Sequence, residues 1–513
     1  AILPKPNMSW APGMLSGIKG RVASKPPVPS KIRRRKFQRF VQRYIASNLE
    51  PLPPDTDFDF ETWLANTNYS NARKTQLRVR YDEIKSDPGL LETKKFARVK
   101  MFIKEEFYEK IKKPRVIYAR SDYAKCYFGP VVKCMEHVVY KLPQFVKHIP
   151  VRDRARYIHD RFDNKCHQYI TTDYTSFERH FTKDVYEIVE FQVYKYLLSN
   201  VSFGIEWLKR YKRCVSHINR CCSKWFNCNI LATRMSGEMT TSLGNGLANL
   251  LIFEFLNQGH EHDCVVEGDD LLGYTYNFAL TAEDYTRLGF TVKLEMFTEL
   301  NKAAFCQLVF DVKSYTVVPN IIKTLLKLPY GPKRMVECKD QKLIEMFRGK
   351  LLCAMAQYPG TPIIQPYCAH MLKLVGEGKV IHVDDPYKLK LVGNDYSQRD
   401  ITHETRLLVQ QVQGITIAEQ EDLEKEIETF TLEPTFSPAV LSKCPNVLVD
   451  SYKYIQNKNC VYVWEFNKNI HGQKENQKFE SFRKESYETL AATANAKLLS
   501  SGTQANTRAS EIG

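Results

Sequence analysis

Apolar and polar positions change period several times along this chain of 513 residues, and each change marks an element. In Lys31–Glu50, Phe37, Phe40, Val41, Tyr44 and Ile45 fall on one face of a helix, with Arg33, Arg34, Arg35, Arg39 and Arg43 mostly off it. A basic amphipathic helix of this kind can rest on a membrane or follow phosphates. Its aromatic stripe favours a simpler reading, a helix docked on the protein with a solvated basic face. From about 60 to 330 apolar periodicity is dense. There, Cys264–Tyr274 carries two short apolar runs about Gly268-Asp269-Asp270, which predicts a hairpin. Met239–Phe255 repeats at helical spacing and predicts a long buried helix.

The flanks read differently. Residues 1–31 hold Pro4, Pro6, Pro12, Pro26, Pro27 and Pro29 and predict an extended arm; Pro51-Leu-Pro-Pro54 predicts a linker. Residues 335–450 look helical and charged, with a strongly acidic stretch at Glu421–Glu428. Residues 483–499 predict an Ala-rich C-terminal helix, faintly similar to the last helix of a double-stranded-RNA-binding module, before a frayed tail. No apolar run approaches the roughly 18 residues a membrane-spanning helix needs. The longest, Leu247–Leu256, is broken by Asn249 and Glu254.

Composition adds a core and a polarity. At 43% apolar and 26% charged the chain is globular, which excludes wholesale disorder. The net charge of +16 is unevenly spread: residues 1–150 hold 30 Lys+Arg against 14 Asp+Glu, and the remainder is neutral. One basic portion on a neutral body is the footprint of a polyanion binder. The 14 cysteines, in a long chain with no secretion signal, read as reduced thiols. A knot of Cys214, His217, Cys221, Cys222 and Cys228 lacks the paired spacing of a zinc ribbon, so structural zinc is not expected. The chain begins at Ala1 rather than Met, which suggests a piece of a longer product.

The candidate chemistry lies in carboxylates. A Gly at a tight turn between two apolar strands leaves Asp269 and Asp270 together at the tip, hard to ionise unless a cation sits between them. Such hard oxygen ligands suit Mg²⁺ or Mn²⁺. Asp173, at the end of another predicted strand, would bring a third carboxylate if the strands are neighbours. Two metals held there could activate an attacking hydroxyl and stabilise a leaving phosphate.

Three segments in order, Asp173-x4-Glu178, then Ser236-Gly237-x3-Thr241-x3-Asn245, then Gly268-Asp269-Asp270, resemble palm motifs A, B and C of positive-strand RNA virus RNA-dependent RNA polymerases, in the tombusvirus and flavivirus-like branch. The flanks are similar too. Ile103–Glu106 with Lys112–Ile117 resembles the basic motif F, and Tyr69–Lys74 resembles motif G. Leu288–Lys293 resembles motif D, and Ala304–Gln307 motif E. The resemblance spans about 69–310.

It implies Asp173 and Asp269 as main metal ligands, Asp270 in support, and two Mg²⁺ or Mn²⁺ ions. Arg115, and Lys104 with Lys112 or Lys113, would meet the incoming triphosphate, where a guanidinium fork matches phosphate oxygens. Ser236 and Gly237 would form a mobile loop beside the template. Asn245, one turn from Thr241 on the same helix side, would read the ribose 2′-hydroxyl, and so disfavour the deoxy analogue. Lys293, with Lys302 its rival, could protonate departing pyrophosphate. One departure stands out: the second acidic position of motif A is commonly Asp, and here it is Glu178. Glu178 would still bind nucleotide, or be an exposed carboxylate at a helix start.

The implied fold is an α+β right hand. Its parts are a basic N-terminal arm (1–55), fingers (56–165 and 190–232), palm (166–189 and 233–315), helical thumb (316–485) and C-terminal helix and tail (486–513). RNA template and product and NTPs are the implied partners. Viral or host replication proteins and host cytoplasmic membranes are the implied setting. Reverse transcription is disfavoured by Gly268 before the Asp pair and by the Ser-Gly-x3-Thr-x3-Asn helix. A nonenzymatic RNA-binding protein would leave the carboxylates unexplained, and an inactive homologue would keep RNA binding alone.

Overall fold

Among the residues described by the computed structural model, 11–104, 113–162, 168–328, 340–381 and 395–431, ten strands form three sheets. The strands are β1 (Val99–Ile103), β2 (Val116–Arg120), β3 (Tyr169–Tyr174), β4 (Ile218–Cys222), β5 (Asn227–Leu231), β6 (His262–Glu267), β7 (Asp270–Thr275), β8 (Val292–Phe297), β9 (Leu308–Asp311) and β10 (Thr316–Pro319). The first sheet runs β2-β1-β4-β5, parallel only between β1 and β4. The second, β6-β7-β3-β8, is antiparallel throughout. β9 and β10 make a small third sheet. With helices packed against antiparallel sheets, the fold class is α+β, as the sequence implied.

At β7 the second sheet is covered on both faces, and Leu271–Thr275 are all buried. The Thr241–Leu256 helix packs on one face, close enough for a Cβ on Gly273 to stand 2.9 Å from the Phe253 ring. This helix is buried almost all round and starts two residues later than its apolar period suggested. On the other face Leu272 and Tyr274 pack with Phe162, Ala303 and Phe310.

The Lys31–Asn48 helix is docked by its aromatic stripe. Phe37, Val41 and Ile45 are buried, and the Phe37 and Phe40 rings lie 5.0 and 5.5 Å from that of Phe255. The extended arm expected at 1–31 is corrected: Ala11–Arg21 is a helix. Gly13, Gly17 and Gly20 weaken its helical signal, because glycine disfavours helix in isolation. The same residues let it lie against β2; a Cβ on Gly17 would stand 2.3 Å from the Pro114 carbonyl oxygen. Met14, Ile18 and Val22 are thereby buried beside Val116, Tyr118 and Met235. The Pro-rich segment follows, passing Gly289 with Pro27 and Pro29.

Toward the C-terminus, helices Ile321–Lys327, Asp340–Gln357, Ile364–Val375, His403–Gln413 and Ile417–Glu428 share a separate core. The acidic run is the outer face of the last of these, whose Leu423 and Ile427 are buried. Residues 483–499 lie outside the described residues. Among the described residues no helix is long and apolar enough to cross a membrane.

Candidate active site

Two residues, Gly268 and Asp269, join β6 to β7, and Glu267 pairs with Asp270 across the turn. Gly268 has φ +66°, which glycine adopts without the penalty a Cβ brings. In the β3–β7 ladder Thr172 faces Leu271, so one further step sets Asp173 beside Asp270. On its other side Asp173 faces Lys293 of β8. The hairpin and the neighbouring strand thus bring the three sequence-identified carboxylates to one end of one sheet.

All three carboxylates reach solvent at the mouth, while protein crowds Asp269 and Asp270 from the other sides. Burial pushes the Asp269 carboxyl above its ordinary value, and the Glu178 charge adds to it; Arg115 and Arg21 pull the other way. Asp270 is pushed up to about 6, first by burial and then by the charge of Asp269, with Glu267 and Asp173 behind. Burial is the first cause for both groups and a neighbouring carboxylate charge adds to it, and a bound divalent cation would offset the two together. Among the described residues no three His, Cys, Asp or Glu side chains stand close enough to hold a metal as they are. The thiol knot does not gather either. Cys214 is buried on the Gly204–Val215 helix, while Cys221 and Cys228 face each other across β4 and β5.

The hairpin is held by residues the sequence reading passed over. Arg154 pairs with Glu267 at 2.6 Å. Asn249 Nδ2 donates to the Gly268 carbonyl at 3.3 Å, and the Tyr174 hydroxyl donates to Asn249 Oδ1 at 3.1 Å. Fully buried Asn249 therefore ties the long helix to the turn and to β3. The signal for it was an Asn inside an apolar run, because a buried amide requires partners.

A basic strand edge carries Arg115, whose charge reaches Asp269. The Lys104 amide donates to the Arg115 carbonyl at 2.8 Å, placing both residues at the open end of the β1–β2 pair. Arg115 is exposed. Lys113 runs along Gly20 of the arm helix, and Lys112 lies outside the described residues. Lys293 is exposed and ion-paired with Glu295 at 2.6 Å, while Lys302 pairs with Glu299 at 2.5 Å. Asp173 helps raise the pKa of Lys293, after the hydrogen bond and charge of Glu295.

The Ser236-Gly237 loop, expected to be mobile, is hydrogen-bonded to β2. Ser236 Oγ accepts from the Tyr118 amide at 3.2 Å, and the Gly237 amide donates to the Tyr118 carbonyl at 2.8 Å. A Cβ on Gly237 would stand 2.9 Å from Ala119 Cα, so only glycine fits. Beside it Arg120 forms a buried ion pair with Glu238 and reaches Asn219 Oδ1 at 2.8 Å. Beneath it Arg234 and Glu190 make a wholly buried ion pair, with Arg234 3.9 Å above the Phe181 ring. Tyr211 completes this support by donating to Glu190 Oε2 at 2.5 Å. Thr241 Oγ1 donates to the Met235 carbonyl at 3.2 Å, and one turn on, Asn245 Oδ1 is buried without a hydrogen-bond partner among the described residues.

Glu178 lies in the single turn Phe177–His180 and is not an exposed carboxylate. Arg21 of the arm helix grips it, Nε to Oε1 at 2.6 Å and Nη2 to Oε2 at 3.2 Å.

Residues 65–435 match the model of the viral RNA-dependent RNA polymerase family. The chain belongs to this family. It is similar to the RNA-directed RNA polymerase of turnip crinkle virus, 24% identical over 465 residues, covering 83% of this chain and 55% of that protein. The corresponding protein of melon necrotic spot virus is 25% identical over 434 residues, covering 78% of this chain and 52% of the relative. That of groundnut rosette virus (strain MC1) is 23% identical over 394 residues, covering 68% and 44%. The chain spans about half the length of the curated relatives it matches. Viral RNA-dependent RNA polymerases generally use Mg²⁺ or Mn²⁺, and the all-oxygen donors of Asp173, Asp269 and Asp270 fit either ion. Arg21 precedes the residues matched by the family model.

Proposed function

We propose that this chain copies RNA, adding ribonucleotides to a 3′-hydroxyl under the direction of an RNA template. The observation that carries the reading is the convergence of Asp173, Asp269 and Asp270 at one sheet end, with the charge of Arg115 acting on Asp269. Asp173 and Asp269 are the main cation ligands and Asp270 supports them. Two divalent ions, when bound, would activate the attacking hydroxyl and stabilise the leaving phosphate. Arg115 and Lys104, with Lys113, hold the triphosphate; Lys112 would join them. Ser236 and Gly237 border the template channel. Asn245 and Glu178 read the sugar, with Thr241 at the helix start. The buried Asn245 Oδ1, which lacks a partner among the described residues, supports that role, since such an atom gains from a ligand hydroxyl. Lys293 is the preferred proton donor to pyrophosphate because it pairs in register with Asp173.

The fingers, palm and thumb layout is part of this proposal. In its favour, the first sheet unites 99–120 with 218–231, the two stretches read as fingers. The second unites 169–174 with 262–297, the two stretches read as palm, and the helices after 318 keep their own core. RNA, NTPs and the other components of a viral replication complex would be its partners.

The test is primed incorporation of labelled NTPs on an RNA template with Mg²⁺, comparing the chain with its Asp269→Ala variant. Activity in the first and near-absence in the second supports the reading. Equal activity in both sinks the site. RNA binding by both without incorporation by either points to a binding protein or an inactive homologue.

A further inference from the structure

We infer that Arg21 is a positioning residue that sets sugar selection by fixing the carboxylate of Glu178; the inference rests on the polymerase reading above. Glu178 carries one methylene more than the Asp common at this place in the motif, and so one more torsion to be fixed before it can meet a ribose hydroxyl in a single geometry. The Arg21 fork supplies that constraint, binding both carboxylate oxygens from a residue 157 positions away. The pair is partly shielded, with 33% of the Arg21 side chain and 16% of the Glu178 side chain exposed. Each oxygen accepts one N–H from Arg21 and keeps capacity for a further donor such as a sugar hydroxyl.

Arg21 is itself rigidly placed. It ends the Ala11–Arg21 helix, which is anchored by buried Met14 and Ile18 and by the close seat of Gly17 on Pro114. Just beyond it, Ser24 Oγ accepts from Arg179 Nη1 at 2.7 Å, so the arm holds two successive residues of the motif A turn. The Glu178 carbonyl accepts from the Arg234 amide at 3.2 Å, which links the same turn to the segment carrying Ser236 and Gly237. An element outside the family match thus supplies a fixed guanidinium to a residue where this chain departs from the family pattern.

The experiment measures kcat/KM for one ribonucleotide and its 2′-deoxy analogue with the wild type, Arg21→Ala, Arg21→Lys, Glu178→Gln and the Arg21→Ala/Glu178→Gln double variant. We expect Arg21→Ala to lower the ribose-over-deoxyribose ratio about tenfold, mainly through a higher KM for the ribonucleotide. Lysine, with the charge but not the fork, should recover only part of it. Once Glu178 is Gln, removing Arg21 should change the ratio little, because the two residues act as one unit. An unchanged ratio in Arg21→Ala, or an equal loss in the Glu178→Gln background, overturns the inference. If Arg21→Ala melts early, the Lys variant decides, and a wild-type ratio there overturns it. A wild type inert on both nucleotides sinks the polymerase reading and the inference with it. An active wild type with indifferent Arg21 variants sinks the inference alone.

Discussion

Two groups of acidic residues lie within this fold and are treated in opposite ways. Glu190 and Glu238, under and beside the Ser236-Gly237 loop, are each matched by a buried arginine, Arg234 and Arg120. Asp173, Asp269 and Asp270, at the tip of the second sheet, are set beside one another instead, and Asp270 is pushed up to about 6, first by burial and then by the charge of Asp269. A buried carboxylate with its own guanidinium has its charge offset; both Glu190 oxygens are hydrogen-bonded, while Glu238 Oε2 has no hydrogen-bond partner among the described residues. A cluster of carboxylates that repel across a wet mouth is unfinished until a cation arrives. On the proposed function, similar chemistry serves support in one place and reaction in the other, and the difference lies in partners rather than residue type.

The largest expected effect belongs to the unfinished cluster. Asp173→Asn should lower Mg²⁺-dependent incorporation by about a thousandfold or more, because it removes a charged ligand from the proposed cation site. Its melting temperature should stay near that of the wild type. A well-folded Asp173→Asn with near-normal turnover would break the contrast between the two groups.

The paired group should behave in reverse. Arg234→Met leaves Glu190 charged, wholly buried and without its main partner, which should cost about 3–5 kcal/mol of stability. Denaturant unfolding measures this directly, and a loss under about 1 kcal/mol would mean that the pair contributes little. Activity should fall only as far as the loop it supports is loosened.

Acid sharpens the comparison through a third group. His180 is fully buried, its Nε2 accepts from the Thr291 amide at 3.0 Å, and burial pushes its pKa down from 6.5 to about 4. The unfolded chain binds this proton first, so the stability from neutral His180 is complete above about 6.5 and is lost as pH falls toward 4. The loss should reach up to about 3 kcal/mol. His180→Gln should flatten that part of the curve in pH-dependent unfolding, at a lower overall stability; an unaltered slope would remove His180 from the account.

How much of this was legible beforehand depended on how local the signal was. The hairpin about Gly268, the buried helix after Thr240 and the aromatic stripe of Phe37, Val41 and Ile45 are written in periods of two or 3.6 residues, and they folded as read. The order Asp173, Asn245, Asp269 was readable as a pattern, and the sheet register then brought the carboxylates together. Arg21 with Glu178 and Arg120 with Glu238 were not readable, since they join segments more than 100 residues apart and any of many arginines could have served. The Ala11–Arg21 helix was hidden for another reason: its glycines lower local propensity and are accommodated only through the contact with β2. Asn249 lay between these cases, visible as a flaw in an apolar run but without its partners in view.

The smallest expected effect tests the contrast by its sign. At pH 7 an ionised Asp270 is worse off in the folded chain than in the unfolded one, because burial and the charge of Asp269 hold its carboxyl at about 6. The folded state therefore binds the proton more tightly, and this contribution to stability falls as pH rises from about 4 to 6. Asp270→Asn removes the charge, so without divalent ions it should melt slightly higher than the wild type at pH 7. Water at the mouth screens the repulsion, and the gain should be below about 1 kcal/mol. With Mg²⁺ the order should reverse, since the wild type gains a ligand interaction that the variant lacks. Thermal unfolding at pH 7 with and without Mg²⁺ reads both signs. A variant that melts lower in the absence of the ion would place Asp270 with Glu190 and Glu238 among the supporting carboxylates.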